Sequence, residues 1–285
     1  MSAPDFIVVG AMKCGTTTLA AQLGAQDGLF MTSPKEPNYF SDDNIFVKGP
    51  EWYAALFAEA APGDIKGEAS THYTKRPNYP RTLERMQAAV PEVKLVYMIR
   101  NPLDRLVSHY IHGWSEGHFD SALNADHLAR HPALVDYGRY GWQIAPYIEA
   151  YGRDAVLLTS LERLKQDETA ELQRIAAHLG HAGPVTWRPD LERENVSSER
   201  VRKLPMHELL IDNPLATRLR RSLIPKSLRQ KVREARMMKH RPQLPGDVKA
   251  ETEAQFLLDR DMLAEFFPGD PSLDLAYPFA RSAAA

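Results

Sequence analysis

Apolar residues are distributed along the chain in two ways. Residues 6–9, 93–99 (VKLVYMI) and 155–159 (AVLLT) are short apolar runs without alternation, and residues 64–69 form a more polar strand candidate ending in Ser70, Thr71 and His72. Between them lie stretches with helical spacing. In 17–23, Leu19, Ala20 and Leu23 share a face, and in 168–179 Leu172, Ile175, Ala176 and Leu179 do; 51–61 and 80–90 also read as helices. Strands without alternation, separated by helices, predict a parallel sheet covered on both faces. The fold class is therefore α/β. From about residue 206 the β-like runs stop and Pro205, Pro214, Pro225, Pro242 and Pro245 punctuate helical segments. The chain reads as one domain over 1–285, with about 206–285 as a helical C-terminal extension.

Composition narrows the function classes. A net charge of −2 exerts no general pull toward nucleic acid or anionic membrane, so only local patches matter. The single cysteine, Cys14, excludes a disulfide framework and a cysteine-rich metal site. No run of about 18 apolar residues occurs and the N-terminus lacks a leader pattern, so the expected location is cytoplasmic.

The first strand candidate runs into VVGAMKCGTTTLAAQLG, residues 8–24. A glycine turn between strand and helix lets backbone N–H groups converge on an anion at a helix N-terminus. Gly10 and Gly15 have that spacing, and Thr16, Thr17 and Thr18 add hydroxyls. A nucleoside triphosphatase places its lysine after the second glycine and an acidic metal ligand at the end of another strand. Here the lysine is Lys13, inside the loop, and the strand 93–99 ends in Arg100. That pattern predicts a cationic, metal-free site for an anionic donor.

These segments resemble the sulfotransferases that use 3′-phosphoadenosine 5′-phosphosulfate (PAPS) and release 3′-phosphoadenosine 5′-phosphate (PAP). GAMKCGTTTL resembles the family's 5′-phosphosulfate loop and VYMIRNPLDRLVSHY, residues 96–110, its 3′-phosphate segment. The resemblance implies that Lys13 neutralises the departing phosphate and that Cys14, Gly15, Thr16, Thr17 and Thr18 line the phosphosulfate site. It implies that Arg100 and Ser108 hold the 3′-phosphate. Asn101 suits a helix cap and Pro102 the first turn after it.

Sulfuryl transfer needs a base for the acceptor's proton. KEPNYF, residues 35–40, resembles the acidic and aromatic stretch of the carbohydrate-modifying, heparan-sulfate-type branch, which makes Glu36 the expected base; Pro37 departs from the family pattern. His72 is the rival, one residue late for the catalytic histidine of the cytosolic small-molecule branch, and so also an acceptor contact. Glu68 matches a further glutamate of the carbohydrate branch, as a positioning or a merely structural carboxylate. Tyr140 and Trp142 are pocket or core aromatics. Arg200 and Arg202 occupy the place of a late loop that closes over the donor.

Residues 218–241 hold ten Lys/Arg and one acidic residue, Glu234. The stretch is either a solvated helix face or a peripheral contact with an anionic membrane surface. It carries no nucleic-acid motif. The expectation is sulfuryl transfer from PAPS to a hydroxyl, or failing that an amine, of a carbohydrate, glycolipid or small metabolite. The alternatives are a kinase of similar architecture and a non-catalytic adenosine-bisphosphate-binding protein. Acceptor identity and oligomeric state are not written in these motifs.

Overall fold

The computed structural model describes residues 3–191 and 236–280. Its centre is a five-stranded parallel sheet of β1 (Phe6–Gly10), β2 (Leu29–Met31), β3 (Ile65–Ala69), β4 (Lys94–Ile99) and β5 (Val156–Ser160), in the order β2-β3-β1-β4-β5. β1 is buried over its whole length, as is β4 apart from its first residue. Burial on both faces is why these strands carry uninterrupted apolar runs. β2 was not signalled by the pattern. It has three residues, too few for a period to show.

β1 pairs with β3 on one side and β4 on the other. The chain thus leaves β1 toward one edge and later crosses to the opposite side. At such a reversal the loops after the two central strands splay apart and leave a crevice outside their carboxyl ends. The loops after β1 and β4 hold Lys13 and Arg100.

The helices α1 (Thr16–Gly24), α2 (Asp43–Phe46), α3 (Gly49–Ala55), α4 (Thr82–Ala89), α5 (Pro102–Ser115), α6 (Ala125–Arg130), α7 (Ala133–Asp136), α8 (Tyr140–Tyr151), α9 (Leu161–Gln166) and α10 (Glu168–Leu179) flank the sheet. α10 has the expected bounds because both ends are chemically marked: Asp167 accepts from Ala170 N at 2.9 Å, and Gly180 closes the helix at φ 93°. Asn101 caps α5 by accepting from Leu103 N and Asp104 N, with Pro102 in the first turn. α3 is shorter than the expected 51–61. Beyond it the N–H groups of Phe57 and Ala58 turn back to carbonyls three residues earlier, while Phe57 is buried against Tyr53. Side-chain anchoring there overrides the helix propensity of the alanines.

Two helices of the C-terminal region are described, α11 (Gly246–Phe266) and α12 (Pro271–Ala276); residues 206–235 of the expected extension lie outside the described residues. Asp259 of α11 accepts from the backbone N–H groups of Gly141 (2.8 Å) and Trp142 (2.9 Å), so it caps α8 from another helix. A Cβ at Gly141 would stand 2.6 Å from the Asp259 carbonyl oxygen, which is why this helix crossing requires glycine.

Candidate functional site

At the crevice, β1 ends at Gly10 and α1 begins at Thr16. Ala11 N donates to Met98 O at 2.7 Å and ties the intervening loop to β4. Gly15, at φ 94°, caps α1 without any side chain, and the first turn contains no acidic residue. The positive end of the helix is therefore left to a ligand. Thr16 is buried, Thr17 exposed and Thr18 half-buried. Lys13 itself adopts φ 67°, a left-handed turn costing roughly 1–2 kcal/mol that the loop's anchoring must sustain.

Arg100 Nη1 reaches Lys13 O at 3.4 Å, across 87 residues of sequence. The backbone of Arg100 is held from behind. Tyr140, fully buried, donates its hydroxyl to Arg100 O at 2.8 Å. Cys14 Sγ lies 3.4 Å from the same phenol oxygen and also reaches Met12 O at 3.7 Å. Burial pushes the Cys14 thiol up to about 11, so it is neutral. Tyr140 is thus a support beneath the loop and not a pocket wall. Ser108 lies half-buried on α5, which begins two residues after Arg100.

Glu36 follows β2 and lies over the end of β3. Its N–H donates to Ala69 O (3.0 Å), and its carboxylate accepts from Lys35 Nζ (2.7 Å) and Thr71 Oγ1 (3.2 and 3.3 Å). Burial pushes its carboxyl up, but Lys35, Lys75 and His72 together outweigh burial and hold it below the usual glutamate value. The Glu36 carboxylate is therefore ionised at neutral pH. His72 sits in a short 3₁₀ turn (Thr71–Thr74), its ring stacked on Tyr79 at 4.7 Å. Burial, reinforced by Lys75, lowers it to about 4, and among the described residues its buried Nδ1 has no hydrogen-bond partner.

The structure adds residues that the motifs did not single out. Lys75 is 8% exposed, and burial lowers its ammonium to about 8; Glu36 opposes that shift, whereas Lys35, Arg105 and Lys13 add to it. Arg105 is wholly buried and bonds Leu134 O through Nη2, with Nη1 3.4 Å from His109 Nδ1. Burial first, then Arg105 and Lys75, lowers His109 to about 2. Glu162 of α9 accepts from Asn101 N at 3.0 Å beside Arg100. Lys35 opens the recognised segment KEPNYF beside Glu36, but only the fold brings Lys75 to the same carboxylate.

Glu68 is fully buried on β3 and accepts from Tyr53 OH (2.6 Å), Tyr73 OH (2.8 Å) and Ser70 Oγ (2.7 Å). Burial raises its carboxyl, against the pull of these three donors. The guanidinium groups of Arg76 and Arg139 lie 4.6 and 4.9 Å from the centroid of the Trp142 ring. Arg200 and Arg202 lie outside the described residues, as do residues 218–235 of the basic stretch. Arg241, at the end of that stretch, pairs with Asp104 of α5. Among the described residues no group of three or more His, Cys, Asp or Glu could hold a metal ion, and no helix is long and apolar enough to cross a membrane.

With this geometry in place, comparison with known proteins is informative. The family model described as "Sulfotransferase domain" matches residues 3–244. The chain is similar to human "Heparan sulfate glucosamine 3-O-sulfotransferase 6", at 27% identity over 64% of this chain and 54% of that protein. It is also similar to "Membrane-associated sulfotransferase kil1" of Dictyostelium discoideum, at 34% identity over 38% of this chain and 22% of that protein. It therefore spans about a fifth to a half of the length of these curated relatives. Among solved structures, "Crystal Structure of Sulfotransferase from Alicyclobacillus acidocaldarius" aligns with a TM-score of 0.56 and 26% identity, over 76% of this chain and 99% of that one. The heparan sulfate relatives place the resemblance nearer that branch than the cytosolic small-molecule branch.

Proposed function

The chain belongs to the sulfotransferase domain family, and on that premise we propose that it acts as one domain moving a sulfuryl group from PAPS to a hydroxyl of a carbohydrate or glycolipid. The observation that carries this reading is the Arg100 guanidinium, at the carboxyl end of β4, donating to the backbone carbonyl of Lys13 in the loop after β1. There a guanidinium from one segment meets the backbone of the loop that carries Lys13, next to a helix N-terminus without a side-chain cap. That combination suits a donor phosphorylated at both ends of its adenosine. Lys13, Gly15, Thr16, Thr17 and Thr18 hold the 5′ side, and Arg100 with Ser108 the 3′-phosphate. PAPS, when bound, supplies the activated sulfuryl group.

In this reading Glu36 takes the acceptor's proton. Its ionised state, its fixing by Lys35 and Thr71, and its position on the matching motif favour it over His72, which is stacked on Tyr79. Lys35 and Lys75 beside it suit an acceptor bearing negative charge, in keeping with the heparan sulfate named for the human relative.

Thermal shift measures the donor directly, because a ligand that binds only the folded state raises its apparent stability. PAP should raise the melting midpoint more than ATP with magnesium; preference for ATP would overturn the assignment in favour of a kinase. In single-turnover sulfation of desulfated heparan sulfate, Glu36→Gln should slow transfer about a hundredfold or more, the range for loss of a general base, while His72→Ala should leave most of it. Near-wild-type transfer by the Glu36 variant would remove Glu36 as the base. PAP binding without turnover on any hydroxyl acceptor would favour the non-catalytic reading.

A further inference from the structure

We propose that Glu68 is the positioning residue of the acceptor-side carboxylate: through the hydroxyls of Ser70 and Tyr73 it fixes the backbone of the loop that carries Glu36. The inference rests on the assignment of Glu36 as the proton acceptor.

The loop between β2 and α2 needs external support. Glu36 and Asn38 sit at φ 59° and 53°, each an unfavourable turn for a residue with a Cβ. Such backbone persists where its surroundings over-determine it. Three of its N–H groups are held from the end of β3 and the turn after it: Glu36 N by Ala69 O at 3.0 Å, Asn38 N by Ser70 Oγ at 3.1 Å, and Phe40 N by Tyr73 OH at 3.4 Å.

A carbonyl always accepts. A hydroxyl has a single proton, and it presents lone pairs to an N–H only when that proton is directed elsewhere. Glu68 directs both: Ser70 Oγ donates to its Oε2 and Tyr73 OH to its Oε1. With three hydroxyls donating to its two oxygens, Glu68 acts as the acceptor of the cluster and sets the polarity of the Ser70 and Tyr73 hydroxyls toward the loop. Tyr53, the third donor, stacks on Tyr39 of the same loop, with centroids 4.4 Å apart and planes at 9°. Phe40 packs against both Tyr53 and Tyr73. Glu68 therefore governs hydrogen bonds and orients the rings that enclose the loop, while lying at 0% exposure beneath it.

Glu68→Gln keeps the shape but offers one acceptor oxygen and one donor nitrogen, so at least one hydroxyl must reverse. In the full chain, amide hydrogen exchange of Asn38 should quicken about tenfold or more in Glu68→Gln and Ser70→Ala, the scale of one lost hydrogen bond. Exchange of Leu19, in α1, should not change. With PAPS and desulfated heparan sulfate, kcat of Glu68→Gln should fall about tenfold or more while PAP affinity stays within about twofold. Because Glu68 acts through Glu36, the double variant with Glu36→Gln should be no slower than Glu36→Gln alone.

Wild-type exchange at Asn38 in both single variants, additive losses in the double variant, or a parallel loss of PAP affinity would each overturn the proposal. If Glu36→Gln retains kcat, the base assignment fails, and the proposal with it, while the exchange data still report whether the hydrogen-bond relay exists. If Glu68→Gln does not fold, Ser70→Ala against Tyr53→Phe decides: only the former should expose the Asn38 amide, and equal effects would sink the relay.

Discussion

Replacing Lys75 with methionine is expected to make the folded protein more stable near neutral pH and less active. Lys75 is 8% exposed, and burial, with Lys35, Arg105 and Lys13 adding to it, brings its ammonium from 10.5 down to about 8. Near pH 7 the folded state keeps that proton at a cost of roughly 3 kcal/mol relative to the unfolded chain. Between 8 and 10.5 the unfolded chain binds more protons than the folded one, so rising pH stabilises the wild type. By about pH 9.5 the remaining cost is roughly 1 kcal/mol. Methionine occupies similar volume without the charge. Lys75→Met should therefore gain about 2–3 kcal/mol in urea unfolding near pH 7, and the gap to wild type should narrow by about 2 kcal/mol near pH 9.5. Sulfation should fall in parallel, because a charge beside Glu36 has gone. A variant no more stable than wild type near pH 7, or a gap that stays constant with pH, would refute the reasoning.

Other perturbations probe separate parts of the molecule. Arg100→Ala should weaken PAP binding about tenfold to a hundredfold by titration calorimetry, the scale of a charged hydrogen bond, and leave binding of adenosine 5′-phosphosulfate, which lacks the 3′-phosphate, nearly unchanged. Gly15→Ala should cost about 1–2 kcal/mol in chemical denaturation, since φ is 94° there and a Cβ would stand 3.0 Å from Leu161 Cδ1. Asp259→Ala should cost about 1–2 kcal/mol by the same measurement, through loss of both hydrogen bonds to the start of α8. Because Glu36 is held below the usual glutamate value, lowering the pH from 7 to 5 should leave most of it ionised, and transfer over that interval should lose less than half its rate to this carboxyl.

The parallel sheet was legible because complete burial leaves its mark on consecutive residues: a strand such as β1 or β4 has no solvent face to encode. α10 was legible for a different reason, since Asp167 and Gly180 satisfy its terminal groups locally. The glycine loop after β1 and the arginine after β4 were also readable one by one, because each is written in residues adjacent along the chain.

What lay beyond the sequence was anything produced by the approach of distant backbone. Nothing near Trp142 announces that Asp259 caps its helix, nor does KEPNYF reveal that its amides lean on Ser70 and Tyr73, because hydrogen bonds across 32 or more residues leave no period. Proton affinities followed the same division. The sequence names Lys75 and His72 as titratable, but only packing removes their water and moves them to about 8 and about 4. Residue types and local spacing thus determined β1, β3, β4 and β5, the caps of α5 and α10, and the glycine loop after β1. Burial and the direction of each hydrogen bond belong to the assembled sheet, since desolvation depends on every element that closes over a group and not on its neighbours along the chain.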